Sequence, residues 1–334
     1  MEVEKSEVKN KTVGEHMKLG IICTMINGFG RRGYYNTQEI GLGRELERQG
    51  HEVTIYKCVK KTGGESIERV KLGNTLSILY IPVSSFGAHG CLDTAVLSTD
   101  LDAVLCFADN QIFLPHIYRF CARHEIRMVP YIGRTHSSSG GVHGFAMNTL
   151  FHLGTLRWFR RGPAISKIEE VRQELLQLGV KDVKVAPVGL DFSVMKSDFA
   201  AYDRAALRRE FGLLPEDLVI CTVGRMGPEK NPLDLVEIYQ QVREQKPCKL
   251  LLVGEGTQSE DLKTKIAASK WKSDIVLIDR IPNDQIWKVY ATADYFVNLC
   301  RTEIFGMAIL EAMYYGVSVA ALAAPGPSVT LRDM

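Results

Sequence analysis

Residues 295–323 read YFVNLCRTEIFGMAILEAMYYGVSVAALA: an apolar run, a polar loop, a helical stretch closed by Gly316, and a second apolar run. Strand, helix and strand in that order, with short connections, make a right-handed crossover in a parallel sheet. The spacing predicts a helix over 305–315. Upstream the pattern repeats, with strand LVICTVG (218–224), a helix over 232–245, strand KLLLVGEG (249–256), a helix from about 258, strand IVLIDRI (275–281) and a helix from about 283. The first half alternates in the same way, through KLGIICTMI, QEIGLGRELERQG (a helix over about 37–49 stopped by Gly50), HEVTIYK, AVLCFA and RMVPYIG. The expected fold class is therefore α/β, with two Rossmann-like domains. Between them VAPVGLDFSVM lacks clear periodicity, which puts the junction near residues 187–200. The expected divisions are a disordered tail over 1–16, a domain over 17–190 and a second over 191–334, with Met17 opening the first strand. The two sheets are expected to face each other across a cleft, because open α/β sheets bind ligands at the carboxyl edge.

A chain of 334 residues suits two such units of roughly 150 residues each. Forty-one Lys and Arg against 39 Asp and Glu leave a net charge of +2, so no sequence-wide field favours nucleic acid. The eight cysteines form no Cys-x-x-Cys pair, the usage of a reduced compartment without structural zinc. No apolar stretch reaches the ~20 residues of a membrane-spanning helix, and no signal peptide opens the chain. A cytoplasmic protein is expected.

Three loops at strand ends carry the chemistry. In TEIFGMAILEAMYYG (302–316), Glu303 lies before the helix and Glu311 inside it, while Gly306 lets a ligand approach the backbone. The amides of the first helical turn, at Phe305, Gly306 and Met307, suit an anion, and two carboxylates beside them suit hydroxyls. The plainer reading makes Glu303 an N-terminal cap and Glu311 a helix-face residue. The strand LVICTVG ends in Arg225, and its loop runs to Lys230, followed by Asn231 and Pro232 as cap and first-turn proline. Two fixed cations there would neutralise a leaving diphosphate without a metal ion, unless they are solvated surface charges. Gly254-Glu255-Gly256 leaves backbone exposed for a nucleobase, or is only a tight turn.

The first half offers less. Gly28-Phe29-Gly30-Arg31-Arg32-Gly33 has dinucleotide-fingerprint spacing, but HEVTIYK puts Glu52 at its start and Lys57 near its end, so the ribose-binding acid is missing. Gly30 is read as part of a turn near donor phosphate or acceptor, or as structural glycine. His136 follows strand RMVPYIG and precedes a Ser/Gly run, at the expected cleft floor. LRWFRRG (156–162) joins Leu156, Trp158 and Phe159 to three arginines, which suits peripheral contact with an anionic membrane or a buried helix with a basic rim.

Residues 185–328 resemble the C-terminal half of group 1, or family 4, retaining glycosyltransferases, through VAPVGLD, VGRMGPEKNP, LLLVGEG and IWKVYATADYFVNLCRTEIFGMAILEAMYYGVSV. The likeness extends more weakly to RQGHEVTIY, the histidine of RMVPYIGRTH and AISKIEEVRQELLQLGV. Cys300, Leu299 and Asp279 stand where the family usually has Ser, Pro and Gly. The resemblance implies a GT-B fold and a retaining, metal-independent transfer of a sugar from a nucleotide diphosphate donor, with no cofactor. It implies that Arg225 and Lys230 bind the diphosphate with the amides at 305–307, that Glu303 contacts the transferred sugar, that Glu311 holds the ribose and that His136 lies near the donor sugar. It makes the acceptor a sugar, glycan or lipid-linked molecule of surface polysaccharide or glycolipid synthesis, at the inner face of the membrane. Two other readings stay open: a truncated, inactive nucleotide-binding or scaffold subunit, and an epimerase or phosphorylase of the same architecture.

Overall fold

A computed structural model describes residues 15–26, 38–137 and 141–332. The residues up to 14 that were expected to be disordered, the glycine-rich run containing Gly30, and Ser138 to Gly140 lie outside the described residues.

The chain divides into two compact units between Pro187 and Val188. In the first, strands β1 (Lys18–Cys23), β2 (Glu52–Lys60), β3 (Glu68–Lys71), β4 (Leu76–Val83), β7 (Ala103–Phe107), β8 (Arg127–Ile132), β9 (Ala164–Ser166) and β10 (Val183–Val185) form one sheet in the order β10-β9-β8-β7-β1-β2-β4-β3. All neighbours are parallel except β3 against β4. A short ribbon, β5 (Ser85–Phe86) with β6 (His89–Gly90), stands beside it. Helices α1 (Gln38–Arg48), α2 (Pro115–Arg123), α3 (Gly141–Leu150), α4 (Leu156–Phe159) and α5 (Glu169–Gln177) complete the unit. Helix α1 stops as expected, at a glycine: Gly50 has φ +91° and its amide donates to the Glu47 carbonyl.

The second unit holds β11 (Val219–Val223), β12 (Lys249–Val253), β13 (Ile275–Ile278), β14 (Tyr295–Asn298) and β15 (Ser318–Ala321) in an all-parallel sheet of order β13-β12-β11-β14-β15. Its helices are α6 (Arg204–Glu210), α7 (Pro232–Gln245), α8 (Ser259–Ala268), α9 (Trp287–Thr292), α10 (Met307–Tyr314) and α11 (Pro325–Thr330). KLLLV is apolar throughout because both faces of β12 are covered. Leu250 and Leu252 pack with Leu235, Val236, Tyr239 and Leu262 from α7 and α8, and Leu251 and Val253 pack with Val289, Tyr290, Ile309 and Ala312 from α9 and α10.

Strand order reverses between β11 and β14, since the chain steps outward from β11 to β13 and then returns to the other side. Loops leaving two strands at such a switch point diverge and open a crevice at the carboxyl edge. The loops after β11 and β14 are the two that carry Arg225, Lys230 and Glu303.

Local geometry corrects two expectations. Helix α10 starts at Met307 instead of 305, because Gly306 takes φ +85° and turns the chain into the helix. Asn231 does not cap α7 with its side chain: at φ +50° its Nδ2 turns away and donates to the Leu299 carbonyl at 2.8 Å. The α7 start is thereby tied to the loop after β14.

Candidate donor site of the second unit

The loop after β11 lies against the turn after β12, backbone on backbone. Met226 N donates to Glu255 O at 3.0 Å, and Gln258 N donates to Met226 O at 2.9 Å. No side chain fits between them: a Cβ on Gly254 would fall 1.8 Å from the Gly224 carbonyl oxygen, and one on Gly256 would fall 2.3 Å from that of Met226. The glycine turn assigned to a nucleobase thus buttresses the loop of Arg225. A salt bridge from Arg280 to Glu255 closes the rim.

Lys230 and Glu303, 73 positions apart, meet directly: the Lys230 ammonium donates to Glu303 Oε2. Asn298 Nδ2, at the end of β14, donates to the same oxygen at 3.3 Å, and Asn298 Oδ1 accepts from Cys300 N at 2.8 Å. Asn298 therefore orients the carboxylate and shapes its loop. It was missed in the sequence, where the only sign was a polar residue closing an apolar strand. Glu303 does not cap α10, whose capping position is Gly306. Behind the loop, Gly326 N donates to Glu303 O at 2.8 Å, and a Cβ on Gly326 would lie 2.6 Å from the Phe305 backbone.

Arg225 extends toward solvent from the same loop as Lys230, with Nη2 donating to Glu229 Oε1 at 2.6 Å. Phe305, Gly306 and Met307 form the entry to α10, where the first amides have no intrahelical acceptor. Glu311 lies one turn further along. It is only 7% exposed and its Oε2 accepts from the Tyr290 hydroxyl at 2.7 Å. Burial first, then the neighbouring Glu311 carboxylate, pushes the Tyr290 hydroxyl well up from its usual pKa, so it stays protonated and donates. Tyr290 was a second residue hidden in the sequence, within an ordinary amphipathic helix.

These residues lie at the carboxyl edge of one parallel sheet, around its switch point. The model for glycosyl transferases group 1 matches residues 203–334, the span that holds the site apart from His136 and Gly30. The chain is 32% identical over 156 residues to a D-inositol 3-phosphate glycosyltransferase of Segniliparus rotundus, covering 45% of the chain and 34% of that relative. It is 23% identical over 295 residues to an alpha-monoglucosyldiacylglycerol synthase of Streptococcus pneumoniae, covering 84% of the chain and 66% of the relative. The chain thus spans from a third to two thirds of the length of these relatives. Sucrose-phosphate synthase from Thermosynechococcus elongatus superposes with a TM-score of 0.70 at 15% identity, covering 94% of this chain and 83% of that one. The fold is that of the GT-B glycosyltransferases.

His136 belongs to the first unit, on an exposed loop after β8. Its loop is strapped from several sides. Asp109 accepts from Gly133 N, Asn110 Nδ2 donates to Thr135 O at 3.2 Å, and Ser137 N donates to Asn148 Oδ1 at 2.7 Å. Lys167 pairs with Asp109 at 2.8 Å and lies over the rings of Phe107 and Tyr131, 5.6 and 5.2 Å from their centroids. The aromatic residues of LRWFRRG point inward. Leu156 and Phe159 are core residues, and Trp158 stacks on Tyr118 with Arg161 over its ring. Among the described residues no helix is long and apolar enough to cross a membrane.

Proposed function

We propose that this chain transfers a sugar from a nucleotide diphosphate donor to an acceptor hydroxyl, with retention of anomeric configuration and without a metal ion or other cofactor. The observation that carries the reading is the meeting of Lys230 with Glu303 at the switch point, beside the glycine-framed start of α10. A cation, a row of helix-start amides and a carboxylate are the groups that a sugar diphosphate requires: positive charge for phosphate, an acceptor for sugar hydroxyls.

In this reading Arg225, Lys230 and the amides at 305–307 hold the diphosphate, Glu303 orients the transferred sugar, Glu311 the ribose, and the Gly254 turn the base. His136 serves near the donor sugar, and Gly30 near donor phosphate or acceptor. The bond from anomeric carbon to β-phosphate oxygen breaks as the acceptor oxygen attacks from the same face, and the departing diphosphate takes the acceptor's proton. Its growing negative charge is stabilised by the fixed cations and amides, so electrostatic positioning is the main catalytic term. Lys230 exchanges part of its contact with Glu303 for phosphate, freeing the carboxylate for sugar hydroxyls. The acceptor is a glycan or lipid-linked molecule of polysaccharide or glycolipid synthesis, met at the inner face of a membrane. The likeness to a glycolipid synthase supports this class.

Steady-state kinetics with a donor identified by a melting screen of UDP-, GDP- and ADP-sugars tests the reading. Glu303→Ala lowers kcat by about two orders of magnitude or more, while Arg225→Ala raises donor KM as well. Unchanged kinetics in both variants would overturn the assignment.

A further inference from the structure

Helix α3, a π turn over Phe151–Thr155 and helix α4 run on as one helical rod from Gly141 to Phe159. Its inner face is core: Met147, Phe151, Thr155, Leu156 and Phe159 are at most 2% exposed. The outer face of such a helix is normally polar. Here it carries Val142, Phe145, Leu150 and Leu153, exposed by 86, 74, 51 and 73%. Spacings of three to five residues across the rod and its π turn keep these side chains on one side.

The charge along this segment has one sign. Between Glu125 and Glu169 the sequence contains no Asp or Glu, although acids make up 39 of the chain's 334 residues. Arg157, Arg160 and Arg161 are exposed at the carboxyl end of the rod. Arg160 is braced by a 2.7 Å bond to the Leu178 carbonyl, and Arg161 lies on Trp158. Large apolar side chains held outward, a basic end and no acid match an interfacial helix lying in the headgroup region of an anionic bilayer. A protein partner of ordinary composition would not demand the removal of every carboxylate from the segment.

We infer that the outer face of residues 141–161 docks the protein on an anionic lipid surface, with Val142, Phe145, Leu150 and Leu153 entering the interface and the three arginines meeting headgroup phosphates. This deepens the peripheral-contact part of the proposed function, and moves the apolar contribution upstream of LRWF. Docking would hold the first unit where lipid-linked hydroxyls are presented.

The test is flotation of the full chain with vesicles of phosphatidylcholine alone and of phosphatidylcholine mixed with phosphatidylglycerol. The wild type partitions into the anionic vesicles at least about tenfold more strongly, and added salt weakens the binding. Phe145→Asp/Leu153→Asp lowers that partition by at least about tenfold. Both positions are solvent-facing, so the variant keeps the wild-type circular dichroism and melting temperature. Its nucleotide-induced thermal shift is unchanged, which separates failure of this inference from failure of the donor-site reading. Absence of binding to anionic vesicles, or equal binding by wild type and variant, would overturn the proposal. So would a wild-type dimer that the double substitution dissociates without any lipid binding, since the face would then join two copies.

Discussion

Three glycines around the Arg225 loop separate two costs that a side chain can impose. Gly224 has φ +151° and open space where a Cβ would go, so Gly224→Ala meets backbone strain alone. Gly256 has no positive φ, but its Cβ would lie 2.3 Å from the Met226 carbonyl oxygen, so Gly256→Ala meets a clash alone. Gly254 has both, φ +141° and a Cβ 1.8 Å from the Gly224 oxygen. To restore a contact near 3.4 Å, that carbonyl must retreat by about 1.6 Å, and Arg225 is the next residue. Strain at a disfavoured φ costs about 1–3 kcal/mol and overpacking about 1–3 kcal/mol, so Gly254→Ala should cost about 2–6 kcal/mol and each of the others about half of that. Against a total stability of roughly 5–15 kcal/mol these differences are large. Urea unfolding followed by tryptophan fluorescence reports them, since Trp271 and Trp287 lie in the second unit. A Gly254→Ala variant no less stable than Gly224→Ala would refute this ordering.

Tyr290→Phe removes the hydroxyl that satisfies the buried Glu311 carboxylate and should cost about 1–3 kcal/mol in unfolding experiments, whereas Tyr295→Phe, at an exposed ring, should be near neutral; equal effects would contradict the pairing. The buried thiols make stability fall in alkali. Burial pushes Cys58 and Cys121 up to about 12 from 9.0, so the folded chain keeps protons that the unfolded chain releases. Their contribution is full below pH 9.0 and is lost as the pH rises toward 12. The urea midpoint should therefore drop with pH in that window and drop less steeply in Cys58→Ala; a midpoint that does not fall would refute this.

The alternation of apolar runs with helical stretches was enough to read all five strands of the second sheet, where a strand covered on both faces must be apolar at every position, as KLLLV is. In the first sheet only β1, β2, β7 and β8 were read; β3, β4, β9 and β10 were missed. The loops at the switch point were legible because cations, acids and glycines cluster where strands end. What stayed hidden depends on side-chain direction. Asn231 carries a helix-capping residue type, yet its positive φ sends its amide to Leu299, a partner 68 positions away that no local pattern reveals. Tyr290 and Asn298 lie in segments whose periodicity is fully explained by packing, so their bonds to Glu311 and Glu303 appear only once the elements are assembled. In LRWFRRG the residue types left a lipid contact or a buried helix with a basic rim open. Helical phase puts Leu156 and Phe159 in the core, leaves Trp158 half-buried on Tyr118, and places the exposed apolar positions earlier in the rod.

The central claim, that Lys230 beside Glu303 receives a pyrophosphoryl group, is tested most directly by calorimetric titration of a nucleoside diphosphate and its monophosphate in the presence of a chelator. The wild type should bind the diphosphate more tightly, and Lys230→Met should weaken that binding by about 10–100-fold while leaving the monophosphate nearly unaffected. Equal affinity for the two nucleotides, or a Lys230→Met variant that binds the diphosphate as the wild type does, would contradict the account.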